Sequence, residues 1–309
     1  MDNKRITCIG GANIDRKAVA KDDIRYRSSN PVNTTESFGG VARNVAENLA
    51  KLGNGVSLFS VVGDDSEGRS VLADSVCKNI DVALTKVAKE GRTGTYTAVL
   101  DGDGEMVLAL ADMAIYDQFT SDVIANSWEA LVTSEAIFMD TNLSSEAIAE
   151  VISRCEKESI RLYIDPVSSL KAKKLPRDLS GVSVLFPNLE EAEELSGIRI
   201  KSSADYQVVA DALKAHGVEN VVMTLGSEGI FYSSPTGSGQ LLPYSVEIVD
   251  VTGAGDALTA GVMSAMIQGC DLEVACRYGL AAAAFALQTE QSVAPDLSLE
   301  HLTAYIKEN

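Results

Sequence analysis

Asp250-Val251-Thr252-Gly253-Ala254-Gly255-Asp256 joins a strand-like stretch, Ser245–Val249, to a long helical pattern of small residues, Ala257–Met266. Three small residues in succession let the backbone turn tightly and leave several N–H groups pointing outward at the start of a helix. Such a concave set of donors, helped by the positive end of the helix, suits a phosphate or the charge that develops during phosphoryl transfer. Asp256 follows in the first helical turn, where a carboxylate could accept the proton of an attacking hydroxyl. It could also be a favourable helix-start residue facing the dipole. A bare Gly-Ala-Gly says little; the flanking acids make the catalytic reading the stronger one.

Outward from this segment, short apolar runs alternate with amphipathic stretches. Candidate strands are Ile6–Gly10, Val56–Val62, Ala136–Asp140, Leu162–Asp165, Val182–Phe186 and Val221–Leu225. Ala42, Val45, Ala46, Leu49 and Leu52 are spaced to form one helical face, and further helical patterns fall near Ser66–Cys77, Ser145–Lys157, Leu189–Leu195 and Asp205–Ala215. This alternation predicts one α/β domain over residues 1–309, with a mainly parallel sheet covered on both faces. Two excursions, about 12–37 and 93–115, break it. The first is polar without helical period; the second holds two strand-like runs, Thr95–Leu100 and Glu105–Ala111, around the turn Asp101-Gly102-Asp103-Gly104. Together they predict a small β-rich lid whose apolar face needs a bound substrate or a second subunit, so a homodimer through the lid is expected.

Composition narrows the function. A net charge of −18 argues against a protein that holds nucleic acid by neutralising its phosphates. It leaves anionic small molecules open, because backbone amides bind phosphate without basic residues. The odd number of cysteines (5), without Cys-x-x-Cys spacing, suits reduced thiols in the cytoplasm. Neither a signal peptide nor a membrane span is expected, since the longest apolar stretch, Leu280–Leu287, is short. No P-loop, dinucleotide fingerprint or Gly-x-Ser-x-Gly elbow occurs, and only His216 and His301 could serve a histidine-dependent hydrolase.

Several ordered segments resemble the signatures of the ribokinase-like (phosphofructokinase-B-type) carbohydrate kinase family. They are Gly39-Gly40-Val41-Ala42-Arg43-Asn44, Val62-Gly63-Asp64-Asp65-x-x-Gly68, Asn188-Leu189-Glu190-Glu191, Thr224-Leu225-Gly226-x-x-Gly229 and the Asp256 segment itself. The resemblance implies a three-layer sandwich with a lid and an ATP-dependent kinase acting on a sugar or nucleoside hydroxyl. It makes Asp256 the base and gives the transferring phosphate to the amides of Gly253, Ala254 and Gly255. Asn188, Thr224, Gly226, Gly229 and Thr252 would hold ATP, with Glu191 reaching Mg2+ through water and a monovalent cation, K+, beside Asp250. Read alone, Asn188 and Glu191 are also a helix capping box. For a small-molecule acceptor, Asn13 and Asp15 follow the first strand at the end where α/β sheets place ligands, joined by Gly39, Gly40 and Asn44. The likeness is strongest to a nucleoside-phosphorylating subgroup, in which Lys17 and Asp112 would read the base. Ala42 and Val251 depart from the wider family, where Gly and Thr are usual. A sensor keeping the fold without the reaction would be expected to lose the base or the anion hole; both are intact.

Overall fold

The computed structural model describes residues 5–309. The chain opens with β1 (Arg5–Ile9), leaves the main sheet for β2 (Asn13–Ala20) and β3 (Val32–Gly39), and returns through helix α1 (Val41–Lys51) to β4 (Gly55–Phe59). Then come β5 (Val61–Gly63), α2 (Ser66–Cys77), β6 (Ile80–Asp81) and β7 (Lys86–Ala88), before the second excursion, β8 (Thr95–Leu100) and β9 (Met106–Asp112). Helix α3 (Ser121–Leu131) leads into β10 (Ala136–Asp140), α4 (Ser145–Glu158), β11 (Arg161–Asp165), the short α5 (Ser169–Ala172), β12 (Val182–Leu185), α6 (Leu189–Ser196), α7 (Asp205–Ala215) and β13 (Asn220–Thr224). The last part comprises β14 (Ile230–Ser234), β15 (Gly237–Leu241), α8 (Ala254–Ile267), α9 (Leu272–Leu287) and α10 (Leu299–Glu308).

The main sheet has the order β15-β14-β13-β12-β11-β10-β1-β4-β6. It is parallel from β6 to β13, and the edge hairpin β14–β15 runs antiparallel. Because side chains alternate across a strand, each central strand feeds two cores. Ile137 and Met139 of β10 pack with Ile124, Trp128, Val151 and Val209 from α3, α4 and α7. Phe138 packs the other way, with Val45, Leu49, Val262 and Ala275 from α1, α8 and α9. The result is the three-layer sandwich expected from the alternation. No helix of the described residues is long and apolar enough to cross a membrane.

The two excursions meet in a separate sheet of order β3-β2-β8-β9. Its central pair, β2 and β8, is parallel, and the outer pairs are antiparallel. The register puts Asn13, Asp15 and Lys17 on one face and Ile14, Arg16, Thr95 and Asp112 on the other.

Two sequence readings need correction. Val56–Val62 is not one strand: Ser60 separates β4 from β5, its hydroxyl donating to the Gly10 carbonyl at 2.6 Å. Ser245–Val249 is not a strand at all. No neighbouring strand offers it a ladder; instead the Val249 amide donates to the last carbonyl of α9, Leu287 O, at 2.8 Å, and Val246 and Ile248 face a cavity.

Candidate active site

Helix α8 begins at Ala254, with Gly253 as its N-cap in the left-handed region (φ 79°). Only glycine fits there, since a Cβ would lie 1.9 Å from the Ser292 carbonyl oxygen. No side chain caps this helix start, and nothing lies within 4 Å of where a Gly255 side chain would project. The helix thus starts without a side-chain cap, its Ala254 amide turned back to the Val251 carbonyl at 3.4 Å, and the positive end of the helix lies beside open space at Gly255.

Asp256, in that same turn, accepts a hydrogen bond from Asn44 Nδ2 at 2.8 Å. Burial pushes its carboxyl up to about 7; the Asn44 hydrogen bond opposes this, the charges of Asp140 and Asp15 add to it, and Arg43 pulls down. A carboxylate that gains and loses its proton near neutrality is suited to general base work.

The acceptor candidates converge on the same place. Asn13, buried, donates to Asp15 Oδ1 at 2.6 Å. Asp15 is pushed up by burial, against the Asn13 hydrogen bond and the charges of Arg43 and Lys17. Gly39 lies across from Asn13 in the small sheet, and a Cβ on it would overlap the Asp15 carboxylate. Gly40 (φ 98°) lets α1 start against the Gly11 carbonyl, which a Cβ would strike at 2.3 Å. That start delivers Asn44 to Asp256. Lys17, its side chain partly exposed, reaches Asp250 Oδ2 with Nζ at 2.6 Å.

Asp112 is not brought to this group. Its register partner is Thr95, and both open onto a polar pocket with Arg16, Glu67 and Arg92 on the opposite face of the small sheet. Thr252 is likewise turned away from the nucleotide region: its amide and hydroxyl both donate to Asp250 Oδ1, at 2.8 and 2.7 Å. With Lys17 on its other oxygen, the Asp250 side chain is already satisfied and held down to about 2, against its burial. A cation beside it would use main-chain oxygens.

On the other side of the α8 start lies a cavity of about 540 Å³. Thr224, Gly226 and Gly229 line it, and Ala254 and Gly255 border it, so the cavity is continuous with the start of α8. Its apolar wall, Val246, Ile248, Leu280 and Leu287, went unread in the sequence. Asn188 bridges to Thr224 beside it and forms a full capping box at α6: Asn188 N and Nδ2 donate to the Glu191 carboxylate at 2.9 and 2.8 Å, and Glu191 N donates to Asn188 Oδ1 at 2.9 Å. Burial raises Glu191 above the ordinary glutamate range.

Two further acids close the floor of the site. Asp140 is fully buried and accepts from Gly11 N (2.8 Å), Ala42 N (3.0 Å) and Asn142 N (2.9 Å), tying the β1 exit to the α1 start. Asp165 sits next to it in register and is pushed well up by burial and by the charges of Glu191 and Asp256. Each is the acid that ends an apolar parallel strand, a repeated signal in the sequence that could have marked them.

Comparison with known proteins gives the family and the fold. A family model described as pfkB family carbohydrate kinase matches residues 3–298. The chain is 34% identical over 303 residues to the pseudouridine kinase of Escherichia coli K12, covering 98% of this chain and 96% of that protein. It is 29% identical over 297 residues to the guanosine-inosine kinase of Exiguobacterium acetylicum, covering 95% and 98%. The solved structure of Arabidopsis thaliana ribokinase, complexed with ribose and ATP, superposes with a TM-score of 0.87 at 18% identity over 99% of both chains, which makes the fold ribokinase-like.

Proposed function

Since the chain belongs to the pfkB family of carbohydrate kinases, we propose that this phosphotransferase moves the γ-phosphoryl group of ATP to the 5′-hydroxyl of pseudouridine. The observation that carries the chemistry is the Asn44–Asp256 pair at the uncapped start of α8, between the acceptor residues and the apolar cavity. The observation that carries the acceptor is the full-length likeness to a protein named pseudouridine kinase.

In this reading ATP lies with its base in the 540 Å³ cavity, against Val246, Ile248 and Leu287. Its γ-phosphate meets the amides of Gly253, Ala254 and Gly255. Asn13, Asp15 and Asn44 hold the ribose hydroxyls, and Asp256 takes the proton of the 5′-oxygen as that oxygen attacks phosphorus and ADP leaves. The amides stabilise the charge on the transferring group. Lys17, clamped to Asp250, carries the small sheet over the acceptor as a lid. Asp112, on the far face, keeps a part in base recognition only if the lid shifts.

The donor set fits magnesium: Glu191 and Asp165 offer oxygen alone, and burial holds both carboxyls up, with the charge of Glu191 adding at Asp165 and that of Glu190 at Glu191, a strain that a divalent cation relieves. Bound magnesium would supply charge neutralisation on the phosphates, held by Glu191 through water. Among the described residues no group of three or more His, Cys, Asp or Glu forms a metal cage, and an ion carried by phosphate and water needs none. K+ beside the main chain of Asp250, a second copy of the chain against the exposed Leu108 and Leu110 of the lid, and a reducing cytoplasm for the free cysteines complete the proposal.

The test is ADP release from ATP–Mg2+ with pseudouridine, uridine, guanosine, adenosine, ribose, fructose and ketodeoxygluconate offered in turn. The expected result is a clear preference for pseudouridine. Preference for another acceptor keeps the kinase and removes the substrate; turnover of none of them favours a sensor of the same fold.

A further inference from the structure

Next to Asn44 in α1 stands Arg43, 3% exposed and so far described only as a charge acting on Asp256 and Asp15. Its guanidinium is enclosed. Nη2 donates to Glu47 at 2.5 Å and to Asp74 of α2 at 2.6 Å. Nη1 donates to Asn44 Oδ1 at 3.1 Å and to the Phe38 carbonyl at 3.4 Å. The Phe38 ring lies 5.6 Å from the guanidinium carbon, and Lys78 holds the second Glu47 oxygen at 3.1 Å.

A guanidinium has donors and no acceptor, so it can meet only the oxygen of the Asn44 amide. That leaves Nδ2 on the side of Asp256, where it donates at 2.8 Å. A flipped amide would set N–H against guanidinium and oxygen against carboxylate, losing both bonds at once. We propose that Arg43 is a positioning residue for phosphoryl transfer: by occupying Asn44 Oδ1 it commits the Asn44 amide to Asp256 and fixes the orientation of the base. Glu47 and Asp74 in turn hold Arg43, so the orientation of the base is anchored in α2, outside the substrate sites.

The inference rests on Asp256 as the base. The charged and titratable groups facing Asp256 are Arg43 from α1, Asp15 from β2, Asp140 from β10 and Asp165 from β11. Of these Arg43 is the cation, and it works with the Asn44 hydrogen bond to favour the ionised base. Loosening it therefore moves the proton onto Asp256 and the acid limb of the pH profile upward.

The experiment compares pH profiles of kcat and kcat/KM for the wild type, Arg43→Lys, and the double variant Arg43→Met with Glu47→Gln, which removes the buried cation and a buried anion together. Arg43→Lys retains the cation, so it reports the fork geometry even where the double variant does not fold. The expected result is a kcat reduced by roughly tenfold, KM values for ATP and acceptor within about twofold of wild type, and an acid limb displaced upward by ~0.5–1 pH unit, with Arg43→Lys the milder of the two. A folded Arg43→Lys protein with wild-type kcat and an unmoved limb overturns the proposal. So does a raised acceptor KM with an unmoved limb, which would make Arg43 a binding residue. Undiminished turnover in Asp256→Asn, measured alongside, would instead remove the base itself.

Discussion

The two sides of the α8 start are built on opposite principles. The proposed acceptor side is a net of buried and half-buried polar groups: Asn13 on Asp15, Asn44 on Asp256, Arg43 on Asn44, and Asp140 on the amides of Gly11 and Ala42. The proposed nucleotide side is a largely apolar cavity, with Val246, Ile248, Leu258, Leu280 and Leu287 in its lining. A buried polar net penalises any ligand that leaves one member unpaired, so it discriminates sharply. An apolar wall rewards contact area and tolerates variation in shape. On the proposed function, selectivity would belong to one side and affinity to the other. Substitutions on the acceptor side should be felt in kcat and in the choice of substrate, those on the nucleotide side in the KM for ATP.

The sharpest way to break this contrast is Asp256→Asn. Turnover should fall by roughly a hundredfold or more, in line with loss of a general base, while far-UV circular dichroism stays that of the wild type. The same residue sets the pH dependence. As the proposed base Asp256 would work ionised, and burial holds its carboxyl at about 7. Wild-type kcat/KM should therefore be full above that pH and fall about tenfold per unit below it, as steady-state assays from pH 5.5 to 9 will show. A limb near pH 4 would mean that the carboxyl is solvated in the working enzyme.

Next in size is Gly253→Ala, at the boundary between the two sides. The added methyl meets the Ser292 carbonyl at 1.9 Å in a left-handed backbone. The strain costs about 1–3 kcal/mol, so both the melting temperature and kcat should fall, whichever acceptor is used. The smallest effect is expected on the apolar wall: Leu287→Ala should raise the KM for ATP by about threefold to thirtyfold and leave kcat and acceptor choice within twofold. A large kcat effect there would blur the division of labour.

The sequence was most readable where local rules suffice. The helix α2 (Ser66–Cys77), the strand β8 (Thr95–Leu100) and the helix α7 (Asp205–Ala215) have the bounds that periodicity and turn residues gave them. Asp256 was legible because three small residues and an acid at a helix start are a local pattern. What escaped depends on partners distant in the chain. Asp112 follows the period-two alternation of its strand, yet which face it takes is set by pairing with Thr95, and through Thr95 with Ile14. Asp140 and Asp165 ended predicted strands as unremarked last residues; their importance comes from Gly11, Ala42 and Glu191, contributed by three other segments. Ser245–Val249 alternates apolar and polar residues like a strand, but alternation cannot say whether an edge is free to receive it.

The parallel pairing at the centre of the small sheet also orders events in time. Ile14 and Thr95 are register partners across a chain separation of roughly eighty residues, a contact of high loop-closure cost that local helices and hairpins do not share. During synthesis β2 has no central partner until β8 has left the ribosome, so Asn13, Asp15 and Lys17 cannot be set in place until a segment roughly eighty residues further on has been made. In the finished molecule the same economy runs backwards. The outer strand β9 of the small sheet is exposed along its whole length whereas β1 and β10 are almost wholly buried, so the amides of the small sheet should exchange with solvent ahead of those of β1 and β10.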